Sequence, residues 1–189
     1  ASWLTTNISL GATGTAGGYN TGTGLTVAPA PGTKRAGSEE LLRDLLQSCW
    51  EQGGNPTSVM SVPAVIRGMS EYFFTSTARI ATLMSDTGQS KSAQTAKGSV
   101  NVFVSDFGVT VEMTANRLQP VESAGQATLY ILDPSLIEIS YLKGYHVSPL
   151  AKDGLADKRL MSVDWTLKVL NEKGLGAMFA VDTAAAWVA

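Results

Sequence analysis

Residues 98–113 read Gly-Ser-Val-Asn-Val-Phe-Val-Ser-Asp-Phe-Gly-Val-Thr-Val-Glu-Met, and this stretch decides the fold class. Val100, Val102 and Val104 occupy alternate positions, and the alternation resumes at Val109 after the Asp-Phe-Gly turn. A period of two is typical of strands, and a glycine in the turn between two such runs predicts a hairpin.

Upstream of this stretch the hydrophobic period is that of a helix. Ser38 caps a first helix, which carries acids in its first turn and ends at Gly53 and Gly54. Pro63 stands in the first turn of a second helix. Helical spacing places on one face of the first helix Leu41, Leu42, Leu45, Leu46, Cys49 and Trp50. The same spacing gives the second helix a buried face that consists of Val65, Ile66, Met69, Tyr72 and Phe73.

The remaining segments alternate or are short apolar runs, so two helices followed mostly by strands predict an α+β fold. The polar residues 75–97 predict an exposed excursion, and residues 151–159 predict a polar connection. Further strands are predicted over Thr57–Val62, Ala127–Leu132, Leu136–Leu142, Leu160–Leu170 and Gly176–Val181.

Residues 11–37 are rich in glycine and threonine and show no strong period. Such a segment buries too few side chains to offset its backbone entropy, so it is interpreted as a long, mobile loop. The glycines that predict this mobility are Gly11, Gly14, Gly17, Gly18, Gly22 and Gly24.

Composition points to a protein that is partly covered by partners. Hydrophobic residues make up 44% of the 189 residues, whereas charged residues make up only 16%, below the roughly 25% of an average soluble protein. The net charge is −2 without a Lys/Arg cluster, so nucleic acid is not attracted wholesale. No apolar run reaches the ~18 residues of a membrane helix, and no secretory leader is recognisable.

Residues able to carry chemistry are few. His146 is the only histidine, so the usual histidine-based metal sites are excluded, and a strand-end histidine is favoured over a lone base. Cys49 cannot form an internal disulfide and is favoured as a core residue over a nucleophile. The glycines match no phosphate-binding loop, and the acids, including Asp182 and Glu172, are scattered. No catalytic residue, metal or cofactor is expected.

Short motifs that recur in a fixed order resemble a family of tailed-bacteriophage major head (major capsid) proteins. The resemblance spans most of the chain, with two departures, at Asp164-Trp165 and at Gly174. Its motifs are Ser2–Asn7, Leu45–Gly54, Ser105–Gly108, Asn116-Arg117, Leu132–Pro134, Tyr141-Leu142, Leu150–Gly154, Lys158-Arg159, Val163–Val169 and Asn171–Lys173.

The resemblance implies the Hong Kong 97-type fold, with a peripheral domain and an axial domain. Residues 1–37 would be the glycine-rich loop and a peripheral remnant, residues 38–150 mostly the axial domain, and residues 151–189 the return to the peripheral sheet. The N-terminal arm, the extended loop and the spine helix would precede Trp3. Positions at subunit borders would be Arg117, Lys152, Asp153, Asp157, Lys158 and Arg159.

The function implied is self-assembly into the icosahedral or prolate shell of a virion that encloses DNA. Partners would be copies of the chain in pentamers and hexamers, portal or decoration proteins, and packaged DNA contacted non-specifically, with no membrane. Assembly would take place in the bacterial host cytoplasm. A single cysteine fits a protein that folds in such a reducing compartment. Two alternatives remain open: an encapsulin-like compartment shell, and a small hydrolase built from scattered Asp, Ser and His146.

Overall fold

The computed structural model describes residues 6–75, 102–122, 124–152 and 154–188, and the structural statements below concern these residues. The predicted excursion at residues 75–97 lies outside them apart from Thr75, the last residue of a helix. The elements, numbered in chain order, are β1 (Ile8–Ser9), β2 (Gly18–Asn20), β3 (Leu25–Val27), α1 (Glu39–Glu51), β4 (Ser58–Ser61), α2 (Pro63–Thr75), β5 (Val102–Val104), β6 (Thr110–Ala115), β7 (Gln126–Leu132), β8 (Ile137–Pro149), β9 (Arg159–Val169) and β10 (Gly176–Asp182).

Six strands form one mixed sheet in the order β1-β10-β7-β4-β6-β5. The predicted β5–β6 hairpin is confirmed, and Gly108 takes a φ of +78° in its turn. β4 runs parallel to β6 and antiparallel to β7. A parallel pair needs a crossover connection, and α2 lies within the one that joins β4 to β6. The mixture of helices and a largely antiparallel sheet confirms the α+β prediction.

The two helices and the sheet enclose one hydrophobic core. The predicted apolar faces are mostly confirmed, since Leu42, Cys49 and Met69 are almost fully buried against strand residues such as Leu129. Burial of each large apolar side chain contributes about 1.5–3 kcal/mol. The body of the molecule therefore has a core of its own.

Trp50, which helical spacing places on the apolar face of α1, is not part of the core. Its side chain is exposed and stacks on Phe107 of the β5–β6 turn, with ring centroids 5.7 Å apart. Trp187 instead is buried in the core, while Trp165 is 60% exposed. Helical spacing placed Trp50 at the margin of the apolar stripe, where a neighbouring turn determines whether the ring is covered.

The ends of α1 lie at the predicted residues, although the Ser38 side chain makes no capping hydrogen bond. Ser38 occupies the N-cap position with extended backbone, and the Glu39 backbone amide donates to the Val188 carbonyl at 3.0 Å. At the other end Gly53 takes a φ of +84°, a left-handed conformation that glycine adopts without steric cost. The Gly54 amide then donates to the Cys49 carbonyl at 2.9 Å and ends the helix.

Residues 11–37 are more ordered in structure than the sequence predicts. β2 and β3 form a short antiparallel hairpin, and Thr15 pairs with Ala30 below it. The Asn20 side chain accepts hydrogen bonds from the backbone amides of Gly22 and Thr23 and shapes the turn. The prediction of a loop without regular structure is thus corrected, and its mobility stays a prediction.

The C-terminal strands also differ from the prediction. The strand predicted over Leu136–Leu142 extends to Pro149, and it pairs with β9 in a separate two-stranded ribbon. The predicted domain boundary at residue 150 therefore falls in the loop between two paired strands. β10, in contrast, lies inside the six-stranded sheet between β1 and β7. Among the described residues β9 pairs with β8 alone, and the expected return of residues 160–170 to the peripheral sheet stays a prediction.

Candidate subunit interface

The β8–β9 ribbon is amphipathic, and its register shows why. Ile139 lies opposite Leu167 and Tyr141 opposite Trp165, whereas the next pairs along the strands are Glu138 with Lys168, Ser140 with Thr166, and Lys143 with Asp164. Directly paired residues of an antiparallel ribbon share a face, and successive residues alternate between faces. One face is therefore apolar and the other polar.

Charges on the polar face are matched across the strands. The Lys168 ammonium donates to the Glu138 carboxylate at 2.9 Å, with both side chains about half exposed. Lys143 is in register with Asp164, and His146 with Ser162. Exposed pairs of this kind contribute roughly 0–1 kcal/mol, so this face is suited to water.

The apolar face is uncovered. Tyr141, Met161 and Trp165 are each about 60% exposed, and Leu142 at the irregularity between the pairs is 86% exposed. Exposed apolar side chains that share one face are typical of a contact surface. A two-stranded ribbon is also marginally stable by itself in water. The face shared by Ile137, Ile139, Tyr141, Val147, Met161, Val163, Trp165, Leu167 and Val169 is named the apolar face below.

The apolar face was not predicted from the sequence, although the alternation of apolar and polar residues in β9 indicates it. Met161, Val163, Trp165 and Leu167 alternate with polar residues in the part of the strand that follows Leu160. Alternation predicts that one face is buried, but it does not state what buries it. The covering surface could not be inferred from the strand alone.

The structure brings together most of the charged residues predicted at subunit borders. Lys152, Asp157 and Lys158 lie in the exposed connection between β8 and β9, and Arg159 is the first residue of β9. The Leu150 amide donates to the Lys158 carbonyl at 2.9 Å and closes this distal end of the ribbon. Asp153 lies outside the described residues.

Arg117 is not part of that group. It is exposed in the segment that follows β6, and it therefore belongs to the body and not to the ribbon. Its role at a subunit border remains a prediction.

The six glycines predicted to be mobile have two different environments. At Gly11 an added Cβ would overlap the Thr33 carbonyl, and at Gly14 it would lie 2.8 Å from the Leu10 Cβ. Gly18, in contrast, has open space around it. Close approach of a neighbouring segment thus explains why glycine occupies positions 11 and 14, at the base of the hairpin. Gly17, Gly22 and Gly24 lie nearer its strands and its turn.

The side chains with catalytic potential are placed apart. His146 is exposed on the polar face of the ribbon, whereas Cys49 is buried in the core. Burial raises the pKa of the Cys49 thiol to about 11, and so disfavours a nucleophilic thiolate. The Asp182 carboxylate pairs with Lys34 at 3.1 Å, and Glu172 accepts from Thr6. The acids considered for hydrolysis are thus engaged separately.

Within the described residues no group of three or more His, Cys, Asp or Glu is arranged to hold a metal ion. No described helix is both long and apolar enough to span a bilayer. The described residues therefore combine an α+β body that has its own core with a ribbon whose apolar face is exposed, and such a face is typical of a protein that associates with a partner.

Comparison with known proteins identifies the family. The model of the SU10 major capsid protein family matches residues 1–182. This chain therefore belongs to that family, and it is a component of a virion. The resemblance to major capsid proteins drawn from the short motifs is confirmed.

Two solved structures are similar to the chain. One is the holo-SrpI encapsulin complex of Synechococcus elongatus, with 18% identity, a TM-score of 0.46 and coverage of 80% of this chain and 52% of that chain. The other is a virus-like particle from Pyrococcus furiosus, with 13% identity, a TM-score of 0.33 and coverage of 77% and 57%. The chain thus spans about half the length of each. No curated protein matches it.

Proposed function

We propose that this chain is the greater part of a major capsid subunit that assembles with copies of itself into the closed shell of a tailed-phage head. Pentamers and hexamers would form the shell, with packaged DNA contacted non-specifically and with portal or decoration proteins as further partners. Assembly would occur in the host cytoplasm. The role is structural and requires no cofactor and no turnover.

The apolar face is the observation that carries this proposal. The body already buries its own core, so the ribbon is not needed to complete it. Residues such as Tyr141 and Trp165 are exposed in the single chain. A second surface that covers them stabilises the complex by about 25 cal/mol per Å² of apolar area removed from water. Association is the process that supplies such a surface.

The distal end of the ribbon supports the same proposal with charge. Lys152, Lys158 and Arg159 are basic, and Asp157 is acidic. Charged groups at the rim of an interface contribute more to register and to rejection of wrong partners than to affinity. These residues, with Arg117 and Asp153, are proposed to lie at subunit borders.

Electron microscopy of the full-length protein tests the proposal. The protein expressed alone is expected to form closed particles in negative stain, and particles from infected cells are expected to contain DNA. A protein cargo in place of DNA would favour the encapsulin-like alternative. A homogeneous monomer at high concentration would contradict both.

A matched pair of substitutions then tests the apolar face. Trp165→Asp places a charge on that face, whereas Thr166→Asp places the same charge on the polar face one residue away. Trp165→Asp is expected to abolish particles while it leaves the melting temperature of the isolated subunit nearly unchanged, since the side chain is exposed. Thr166→Asp is expected to assemble. Equal loss in both variants would refute a face-specific contact.

A charge reversal tests the distal end. The double change Lys158→Glu and Arg159→Glu is expected to impair assembly and to leave subunit stability within ~0.5 kcal/mol, as surface changes do. Particle yield and calorimetry measure the two effects. A large drop in melting temperature with normal assembly would show that the pair acts within the subunit.

The absence of turnover is tested by His146→Ala. No hydrolytic activity of the full-length protein is expected to depend on this side chain, because it is exposed on the polar face opposite Ser162. A reproducible hydrolase activity that the substitution abolishes would overturn the structural role.

A further inference from the structure

The β2–β3 hairpin leaves and rejoins the body at an irregularity in β10. Ser9 of β1 pairs with Met178, and Arg35 pairs with Val181, both in parallel. Between these two contacts β10 shifts register, and Ala180 takes a φ of +60°. The segments before and after the hairpin, which contain Ser9 and Arg35, are called its stems. Since β7 occupies the other edge of β10, both stems lie along the same edge of β10, one on each side of the bulge.

Arg35 connects the two stems. Its terminal Nη2 atom donates to the Ser9 hydroxyl at 2.7 Å and lies 3.5 Å from the Phe179 carbonyl oxygen. Its backbone amide donates to the Ala180 carbonyl at 2.8 Å, and its carbonyl accepts from the Asp182 amide at 2.7 Å. One residue thus contacts the stem that enters the hairpin and both sides of the bulge.

This arrangement is unfavourable for stability alone. The guanidinium is half-buried, its Nε atom is buried without a partner, and burial lowers the pKa of the group. Replacement of a buried ionic group by an apolar side chain of similar volume is often neutral or stabilising. The geometry of Arg35 is therefore better explained by an effect on the direction of the β2–β3 hairpin than by an effect on the stability of the fold.

The part of the hairpin that Arg35 orients is exposed and uncharged. Tyr19, Leu25 and Val27 are all at least half exposed, and residues 6–33 contain no acidic or basic side chain. At the base the Thr33 amide donates to the Ala12 carbonyl at 2.7 Å, so the hairpin projects from a fixed origin. A projecting apolar element binds more tightly when it is held in its bound orientation, because less entropy is lost.

We propose that Arg35 is a positioning residue that fixes the direction in which the β2–β3 hairpin projects, and that this fixed direction is what makes the hairpin competent for contact with a second copy of the chain. The second part rests on the proposed shell function. The first part does not, because it concerns the isolated subunit.

Spin-label distances test the orientation directly. Cys49 is the only cysteine and is buried, so labels introduced by Leu25→Cys on the hairpin and Gln47→Cys on α1 report one distance. In this labelled background the distance distribution is expected to be narrow, and Arg35→Met is expected to broaden it by a factor of about two as the hairpin samples more orientations. Lys34→Met is the control, since it removes the neighbouring exposed ion pair to Asp182 and no contact to Ser9.

Two further measurements separate orientation from folding. Arg35→Met is expected to melt at the same temperature as the parent or higher, whereas a purely structural role would lower the melting temperature. Ser9→Ala removes one partner of the guanidinium and is expected to broaden the distribution to a smaller extent. An unchanged distribution in Arg35→Met would overturn the positioning role, and so would broadening that Lys34→Met reproduces.

Assembly of the full-length protein tests the second part. Arg35→Met is expected to lower the particle yield by about tenfold, a loss of roughly 1.4 kcal/mol in the association step. Normal yield with a broadened distribution would show that the hairpin's direction is irrelevant to contact. Failure of the unmodified protein to form particles would count against the shell function and would leave the spin-label result intact.

Discussion

β9 and β10 have opposite environments and different residue patterns, because β9 alternates apolar and polar residues from Met161 to Val169, whereas β10 is a nearly continuous apolar run. Of the eleven residues of β9 ten are exposed, whereas six of the seven residues of β10 are buried. β10 lies between two neighbouring strands and contacts α1, while among the described residues β9 pairs with β8 alone. The apolar run of β10 predicts a fully buried strand and the alternation of β9 predicts one buried face, but the strand itself does not encode which surface buries that face.

The comparison is sharpest for leucines in the two regions. Leu129 of β7 is fully buried in the sheet that contains β10, and Leu167 of β9 is about half exposed. Leu129→Ala is expected to lower the free energy of unfolding by roughly 2–5 kcal/mol, because it leaves a cavity. Leu167→Ala is expected to lower that of the isolated subunit by less than ~0.5 kcal/mol. Chemical denaturation of both variants measures the difference, and similar losses would break the comparison.

A second test concerns the border between the body and the β2–β3 hairpin. Gly11→Ala is expected to destabilise the subunit by about 1–3 kcal/mol, since the new methyl group overlaps the Thr33 carbonyl. Gly18→Ala is expected to have little effect, because nothing lies within 4 Å of its added Cβ. Thermal melts of the two variants measure this contrast. If Gly11→Ala is tolerated, the hairpin base is looser than the body.

Alkaline pH tests the burial of the core thiol. Cys49 stays protonated in the folded state up to a pKa of about 11, whereas in the unfolded chain it ionises near 9.0. The unfolded state is therefore favoured as pH rises, and the free energy of unfolding falls by about 1 kcal/mol between pH 8 and 10. In Cys49→Ala this contribution is absent. The stability gap between the parent and the variant should narrow over that range, and a constant gap would contradict the burial.

The smallest effect is expected on the polar face of the ribbon. A double-mutant cycle with Glu138→Gln and Lys168→Gln should give a coupling of less than ~1 kcal/mol, since both groups are half exposed. The coupling should shrink further in 1 M salt. A coupling that salt leaves unchanged would indicate that this face is shielded from water, and the contrast between the two faces would be lost.

Local features of the fold were predictable because their causes are local. Helix ends at Ser38 and Gly53, the hairpin around Gly108 and the core face of α1 depend on capping, turn geometry and periodicity. The family could also be inferred from the order of its motifs. These features require no knowledge of distant contacts.

Features that depend on distant contacts were not predictable. The pairing of Leu160–Leu170 with an extended β8, the hairpin inside the glycine-rich segment and the stack of Trp50 on Phe107 each bring separate segments together. Composition at residues 11–37 indicates high backbone entropy, but it does not show that Gly11 and Gly14 are packed against backbone and side-chain atoms. For the candidate interface, the charged distal end was inferred, and the apolar face was not.

The separation of the ribbon from the core has a consequence for the evolution of the chain. A substitution at Leu129 is filtered by whether the subunit folds, so it is rejected or accepted whatever the partners are. Under the proposed function, a substitution on the apolar face is filtered by whether the contacting subunit changes with it, since the stability of the isolated subunit hardly depends on that side chain. Shell geometry can therefore diverge through compensating changes between contacting surfaces while the body of the fold is kept.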